Sequence, residues 1–552
     1  MLTAARRARP STAQRTMRAP GFGMALGLGL GLLALGPGLR RGFVLSYDMV
    51  FVPREPFTSA MFGLTGGPPR AVPSDFVVVV ASLAIPADIV QKLVLLLIFV
   101  LACSGMVALL DREPLPARLA AGVFYTWNPY LAERLIIGQW ALLLGYAGLP
   151  WVLRAMLKPD LDPRISRRGA ARLAVALLPA VVGGFAAMAI TALVVVPVAA
   201  ATAASSRRLA SAAVALTALA VGSLPWLIPS LLHAVYTDPA GVAAFAARAD
   251  TPFGTVGSLL MLGGMWNAQT VPKAYGGPWS AIWLAVVIAA VAGYVTLARR
   301  RWPGLLPAAV AGLVIACLSV TGLGQDLLRT AIGFWPGFAV LRDGQQFTAP
   351  LALAEAAGFG LAVHWVAHPG SVGKKNSDRV RGTHHAPGRP DAPGLALAAI
   401  ALLAPVLLLP GLAWGAAGRL RPAAYPAGWL AAARMIDASR APGDVLLLPW
   451  VADRTPPWNH GEVMLDAWPR LVSRPVIWND GTQVGDVRMA PDDPRARALN
   501  GVISSGGPLT AALRAAGVRF VVVDGDTPTT VRLPGWITVV NSPDLVIYRS
   551  PD

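Results

Sequence analysis

"LSYDMVFVPREPF" (residues 45–57) follows the first apolar run of the chain, and its reading governs the rest. It sets two carboxylates, Asp48 and Glu55, at the mouth of a segment long enough to cross a bilayer. On a soluble protein they would call for no explanation. Beside a membrane span, a charge is costly unless it has a partner, a ligand or water. The meaning of the stretch therefore depends on whether the neighbouring runs are spans, and on which side of the membrane it emerges.

Composition answers the first question. The chain has 552 residues, 55% hydrophobic and 14% charged, where a soluble chain carries roughly 25% charged residues. Mean hydropathy is +0.56. The formal net charge of +18 invites a nucleic-acid reading. The Arg and Lys residues, however, cluster at the ends of apolar runs, as topology signals do, so no nucleic-acid partner is expected. Cys103 and Cys317 both fall inside apolar runs, which leaves neither a disulfide framework nor a cysteine metal site.

Apolar runs at 22–39, 89–110, 116–128, 138–157, 172–187, 188–204, 209–234, 278–298, 303–321, 347–366 and 394–415 predict about eleven transmembrane helices, at ~20 residues per span. Residues 172–204 form one run of roughly 33 residues, too long for an ordinary span, and are divided at "GGF". "FVVVVASLAIP" (76–86) is too short to cross. Flanked by Asp75 and Asp88, it reads as an interfacial helix on the outer surface. The basic first 20 residues place the N-terminus in the cytoplasm. The predicted cytoplasmic segments then carry more than twice the Arg and Lys of the outer ones, which fits the positive-inside rule. An odd number of spans puts the C-terminus outside, and with it Asp48 and Glu55. The segment at 367–393 reads as a disordered cytoplasmic linker.

From residue 416 the pattern changes. "AGWLAAARMIDASR" predicts an amphipathic helix, "GDVLLLPW" a buried strand, and "PLTAALRAAGV" a helix feeding the strand "RFVVVDGD". "WITVVNS" and "LVIYRS" predict a closing hairpin with "PD" in its turn. The expected organisation is a basic cytoplasmic N-terminus (1–20), a transmembrane domain (21–415) with a long first outer loop (40–88), and a separable extracytoplasmic α/β domain (416–552) packed on the outer loops.

The outer-face charges are few. Asp48 and Glu55 are the candidate acids. Arg342, Arg134, Arg248 and Asp343 are the candidate ligand groups, with Trp266 and Asn267 able to stack on and hydrogen-bond a sugar. Each has a plainer alternative. Asp48 can be an ordinary residue at a helix mouth, and "RDG" (342–344) a turn begun by Asp343. Glu133 and Arg134 can pair with each other in "LAERL". "WNPY" (127–130) reads as a Pro-marked helix end with Trp127 and Tyr130 in the interfacial aromatic belt, and Trp266 leans the same way. His460, Glu462 and Asp466 have no metal-ligand spacing. No cofactor is legible, and a divalent cation stays open.

The order of these pieces resembles the GT-C superfamily of integral-membrane glycosyltransferases. An acid follows helix one, and an interfacial helix comes next. Then come "WNPYLAERLIIGQWALLLGYAGLPW" (127–151), "AARADTPFGTVGSLLMLGGMWN" (246–267) and "FWPGFAVLRDGQQFTAPLALAEAAGFG" (334–360). The likeness runs over nearly the whole chain and is nearest to actinobacterial arabinofuranosyl- and mannosyltransferases of cell-envelope assembly. It implies a polytopic α-helical membrane protein with a small C-terminal extracytoplasmic α/β domain, in the cytoplasmic membrane. It also implies a polyprenyl-phosphate-linked sugar as donor and an envelope glycan or lipid as acceptor. In such enzymes a carboxylate in the first outer loop deprotonates the acceptor, and the sugar is transferred with inversion. That position here is Asp48, with Glu55 as the fallback. A fixed cation holds the leaving phosphate, a task suited to an arginine fork. Several relatives carry two adjacent acids where this chain has Asp48 alone. An inactive scaffold therefore remains an alternative, as does a transporter or flippase of lipid-linked sugars. Against the latter, intramembrane charge is nearly confined to Glu355 and His364, and no repeated halves are visible.

Overall fold

The computed structural model describes residues 12–65, 71–162, 167–204, 209–232, 236–367, 392–525 and 531–551. The predicted cytoplasmic linker lies almost wholly outside them, as does most of the basic N-terminus.

Helices stand at all eleven expected positions: α1 (Thr12–Leu35), α3 (Ala87–Leu109), α4 (Leu115–Thr126), α6 (Trp140–Met156), the two arms of α7 (Arg167–Ala203), α8 (Leu209–Leu232), α9 (Ser280–Gly293), α10 (Leu305–Leu318), α12 (Ala349–Ala367) and α13 (Ala392–Leu408). The count of eleven spans is too simple. Among the described residues, six helices are long and apolar enough to cross a membrane, or eight if each of two bent pairs makes one span. One bent pair is α10 with α11 (Gly322–Phe334), which meet at 95°. Helix α4 has 12 residues, about 18 Å at 1.5 Å per residue, and cannot cross alone. The chain is a multi-pass membrane protein whose shorter helices are buried against longer ones.

The 37-residue α7 is broken at Gly184, where φ is +73°. Its packing on α6 shows that the chain turns back there. Gly145 faces Ala187 and Gly148 faces Pro179 and Ala176, while Gly183 abuts the Ala141 carbonyl. Residues 176 and 187 would lie about 16 Å apart along a straight helix, yet they meet glycines one turn apart on α6. Two spans joined at a glycine apex account for this, where "GGF" divides the apolar run. Helix α1 is held against α3 by a different use of glycine. Gly23, Gly27 and Gly31 recur every fourth residue. A Cβ at Gly27 would come within 2.7 Å of the Phe99 carbonyl oxygen and 2.9 Å of Cys103 Cβ, so the small face sets the helix spacing. The outward face of α8 leaves Leu216, Val221, Leu224 and Ile228 exposed, as a lipid-facing helix does.

"WNPY" is not an interfacial belt. Asn128 caps α5 (Pro129–Ile136) by accepting from Leu131 N at 3.0 Å, with Pro129 at the first helical position. Its amide also donates to Phe124 O, Tyr125 O and Tyr146 Oη. Trp127 is fully buried and donates to Leu409 O, and Tyr130 donates to Gln346 O. Internal carbonyls satisfy the polar tips that were expected to seek the water interface.

The long loop after α1 is ordered by partners far along the chain. Strand β1 (Phe43–Val44) pairs with β2 (Pro422–Ala423). Gln91 of α3 acts as a further strand partner, donating to Val44 O and accepting from Val44 N. The expected interfacial helix is α2 (Ser74–Ser82). It exposes Phe76, Val77 and Val80, but Asp75 and Asp88 are buried rather than set on the surface. Asp75 pairs with Arg470 at 3.0 Å and Asp88 with Arg41 at 2.9 Å.

The C-terminal segment contains α14 (Ala427–Ala438), β3 (Asp444–Leu448), β4 (Asp453–Arg454), β5 (Met464–Leu465), β6 (Val476–Ile477), α15 (Pro494–Ser504), α16 (Leu509–Ala515), β7 (Val518–Asp524), β8 (Ile537–Ser542) and β9 (Leu545–Arg549). Five strands form one sheet in the order β8-β9-β7-β3-β6. β3 is parallel to both β6 and β7, and β8-β9 is the antiparallel hairpin that closes the edge. One face of this sheet has a core of its own, in which Leu446, Leu448, Ile477, Leu513 and Val521 pack with Trp536, and the other face packs on the loop after α1. Val44, Val50 and Phe51 of the first loop share one apolar cluster with Trp429, Leu447, Trp468 and Phe520.

Candidate functional site

A cavity of about 1750 Å³ lies between one end of the helices and the C-terminal sheet. On the sheet side it faces the carboxyl ends of two parallel strands. Trp450 to Asp453 follow β3, and Asn479 and Gly481 follow β6. This is where open α/β sheets present ligand-binding loops. On the membrane side it reaches Phe185 at the α7 apex and the exposed Leu231 and Leu232 at the end of α8.

The turn carrying Asp48 is fixed from three directions. Asp48 N donates to Ile137 O at 3.1 Å, Ser46 Oγ donates to Ile136 O at 2.6 Å, and Tyr47 N donates to Val463 O at 2.7 Å. Tyr47 has φ +45°, and Gly138, against which the turn packs, has φ +86°. The Asp48 side chain is exposed in the cavity wall.

Arg342, Arg248, Asp343, Trp266 and Asn267 line the same cavity. The Arg342 guanidinium lies 4.6 Å from the Phe245 ring centroid, where a cation gains from the ring face. Arg134 stands one layer behind. It is buried, 3.5 Å from the Asp343 carboxylate, and donates to Gln139 Oε1 at 3.1 Å. Glu133 is therefore not its partner. That carboxyl is buried beside Asp250, which accepts from Gly264 N and Met265 N. Trp266 is also no belt residue. It is buried edge-on to Phe245 at 4.7 Å, and its indole N–H has no protein acceptor. Asn267 caps the next turn by accepting from Gln269 N at 3.0 Å.

Glu55 does not reach the cavity. It lies behind the wall with Asp75 and Arg470, which do line it. Burial pushes the Glu55 carboxyl up to about 8, the Asp75 charge adds to the rise, and Arg470 opposes it. His460 packs its Nε2 on Pro422 O, and no group of three or more metal-ligating side chains occurs among the described residues.

Sequence reasoning passed over Asp453, Arg470, Gln139 and Asn479, all in the cavity wall. For Asp453 and Asn479 a signal existed: each follows a predicted or short parallel strand at its carboxyl end. Arg470 and Gln139 offered none, because their partners lie hundreds of residues away or within a loop turn.

Helices packed around a cavity that is roofed by a mixed C-terminal sheet make a GT-C-like membrane fold. Two solved structures share that fold. The chain is similar to the arabinofuranosyltransferase AftD from mycobacteria, with 18% identity over 96% of this chain and 40% of that one, at a TM-score of 0.59. A mutant form of AftD gives 20% identity over 98% and 42%, also at 0.59. ArnT from Cupriavidus metallidurans matches 96% of this chain and 98% of its own, at 15% identity and a TM-score of 0.46. The chain thus spans about two fifths of the length of AftD. No family model and no curated protein sequence matches it.

Proposed function

We propose that this protein is a membrane glycosyltransferase that moves a sugar from a polyprenyl-phosphate donor to an envelope glycan or lipid on the extracytoplasmic face, with Asp48 as the general base. The observation that carries the reading is one cavity that gathers a carboxylate, Asp48, and two guanidinium groups, Arg342 and Arg248, beside an apolar rim. The rim at Leu231 and Leu232 suits a lipid tail that stays in the bilayer while its phosphate enters the cavity. Arg342 and Arg248 suit the phosphate, since charge-assisted hydrogen bonds from arginine are short and bidentate. Trp266, with its unanswered indole N–H, and Asn267 suit a sugar. An ionised carboxylate accepts but does not donate, which fits Asp48 to receive the acceptor proton as that oxygen attacks the anomeric carbon. Arg134 and Gln139 hold Asp343 in place behind the arginines. The fold of AftD, an arabinofuranosyltransferase by name, supports the same class of reaction.

Loss of the gene product should truncate an envelope glycan and raise the pool of polyprenyl-phosphate-linked sugar. Asp48→Asn keeps the size of the side chain and should be produced and folded, yet fail to restore the glycan. Restoration at the wild-type level would remove Asp48 from the chemistry. Unchanged glycans and lipid-linked sugars in the deletion would remove the glycosyltransferase reading and favour a transport or scaffold role.

A further inference from the structure

Strand β4 has two residues, and they face opposite ways, as neighbours on a strand must. Arg454 turns inward to Asp466 at 3.2 Å and Asp524 at 2.7 Å, and all three side chains are buried. Asp453 turns into the cavity. β4 pairs with β5, with Asp453 opposite Leu465. On its other edge β5 meets the turn that carries Asp48: Leu465 N donates to Tyr47 O at 2.9 Å, and Tyr47 bridges Met464. Asp48 and Asp453 therefore belong to one small ladder whose far edge is clamped by the Arg454 triad. The chain brings them together across 405 positions of sequence, the difference between their numbers.

We propose that Asp48 and Asp453 work as one carboxylate pair, in which Asp453 shares the proton that Asp48 takes from the acceptor hydroxyl. The step balances in the usual way for an inverting displacement. The acceptor O–H bond breaks, and its oxygen bonds to the anomeric carbon. The bond from that carbon to the phosphate oxygen breaks, with its electron pair leaving on the phosphate. The proton ends between the two carboxylates and passes to water in the open cavity. Asp453 is a positioning residue here, because it acts through Asp48.

Electrostatics favours the arrangement. Two carboxylates that face each other do not ionise independently, and their protons come off in steps that belong to the pair. Burial pushes the Asp453 carboxyl up to about 7, and the Asp48 charge facing it adds to the rise. The other ionisable groups near this ladder are Tyr47, with Glu462 and Arg419 around it, and Arg454 behind, in its ion pairs with Asp466 and Asp524. A base is most effective when its proton affinity lies near the working pH. A solvated aspartate, at about 3.9, is far from that.

The acceptor role rests on the glycosyltransferase reading, but the pair itself can be tested without any substrate. The test is infrared titration of the protonated carboxyl band in the purified full-length protein between pH 4 and 9. The wild type should lose such a band near pH 7 and a second, from Glu55, near pH 8. Asp453→Asn should abolish the first and keep the second. Asp48→Asn should lower the midpoint of the first by about one unit, a tenfold change in proton affinity. Asp453→Glu should restore it. A first band that stays in Asp453→Asn, or does not move in Asp48→Asn, overturns the pair. The Asp48→Asn arm holds even if Asp453→Asn folds poorly, because the Asp48 side chain is exposed in the cavity wall. A shared titration in a protein whose loss leaves envelope glycans unchanged would end the acceptor role and the glycosyltransferase reading together. Glycan loss without a shared titration would end the pair alone.

Discussion

Gly138→Ala should disarm the site without touching a charged residue. Gly138 has φ +86° and carries the turn of residues 46–49 directly on its α-carbon. A Cβ there would lie 2.7 Å from Met49 Cβ, and closer still to Met49 N and Ser46 O, whereas ordinary contact begins at 3.4 Å. Two of these three neighbours are backbone atoms, so no side chain can swing aside. The left-handed conformation costs an L-residue roughly 1–2 kcal/mol, and overpacking costs about 1–3 kcal/mol more. The cheapest relief is to push the turn outward by on the order of 1 Å, which loosens the Asp48 N to Ile137 O bond. A displacement of that size in a reacting group lowers rates by about 10²-fold. The combined penalty is below the ~5–15 kcal/mol that holds a typical fold. The variant should therefore remain folded, with a lower unfolding temperature, while restoring about one hundredth of the wild-type envelope-glycan synthesis in cells lacking the native protein. The assay pairs thermal unfolding of the purified protein with glycan analysis of those cells. Wild-type restoration together with an unchanged unfolding temperature would refute both the packing and the placement of the base.

Three further outcomes are expected. Arg454→Met leaves Asp466 and Asp524 buried without their cation, at a cost of about 3–5 kcal/mol; protease should then cut the chain beyond residue 416 much faster than in the wild type, and equal rates would show that the triad does not hold the sheet. Glu55 has its folded value near 8, above the unfolded carboxylate at about 4.3, so the native state holds the extra proton between these values and this group's contribution to stability falls as pH rises through that window. Glu55→Gln should flatten the fall in unfolding temperature between pH 5 and 8, and an unaltered slope would count against the buried, protonated Glu55. Reporter fusions after residues 380 and 415 should report opposite sides of the membrane, and the same side for both would overturn the topology.

The sequence by itself determined most of the helices and four of the strands. Apolar length and the ~20-residue span rule located the long membrane helices and the division at "GGF", but not that α4 is too short to cross or that α11 bends away from α10. A span is set by local hydrophobicity, and only glycine tolerates the reversal at Gly184. Strands β3, β7, β8 and β9 were equally plain, since alternation and turn residues are local signals. Asp48 and the arginines could be nominated because charge is rare beside membrane spans. Tertiary structure alone decided what these residues meet. Trp127 and Tyr130 carry the composition of an interfacial belt, but buried carbonyls of Leu409 and Gln346 satisfy them instead. Glu133 and Arg134 are neighbours in sequence, yet successive helix positions point about 100° apart, so one turns to Asp250 and the other to Asp343. The partnership of Asp48 with Asp453 arises from a ladder between the first loop and the last quarter of the chain. No local pattern encodes such a pairing, because it depends on where two distant backbones come to lie side by side.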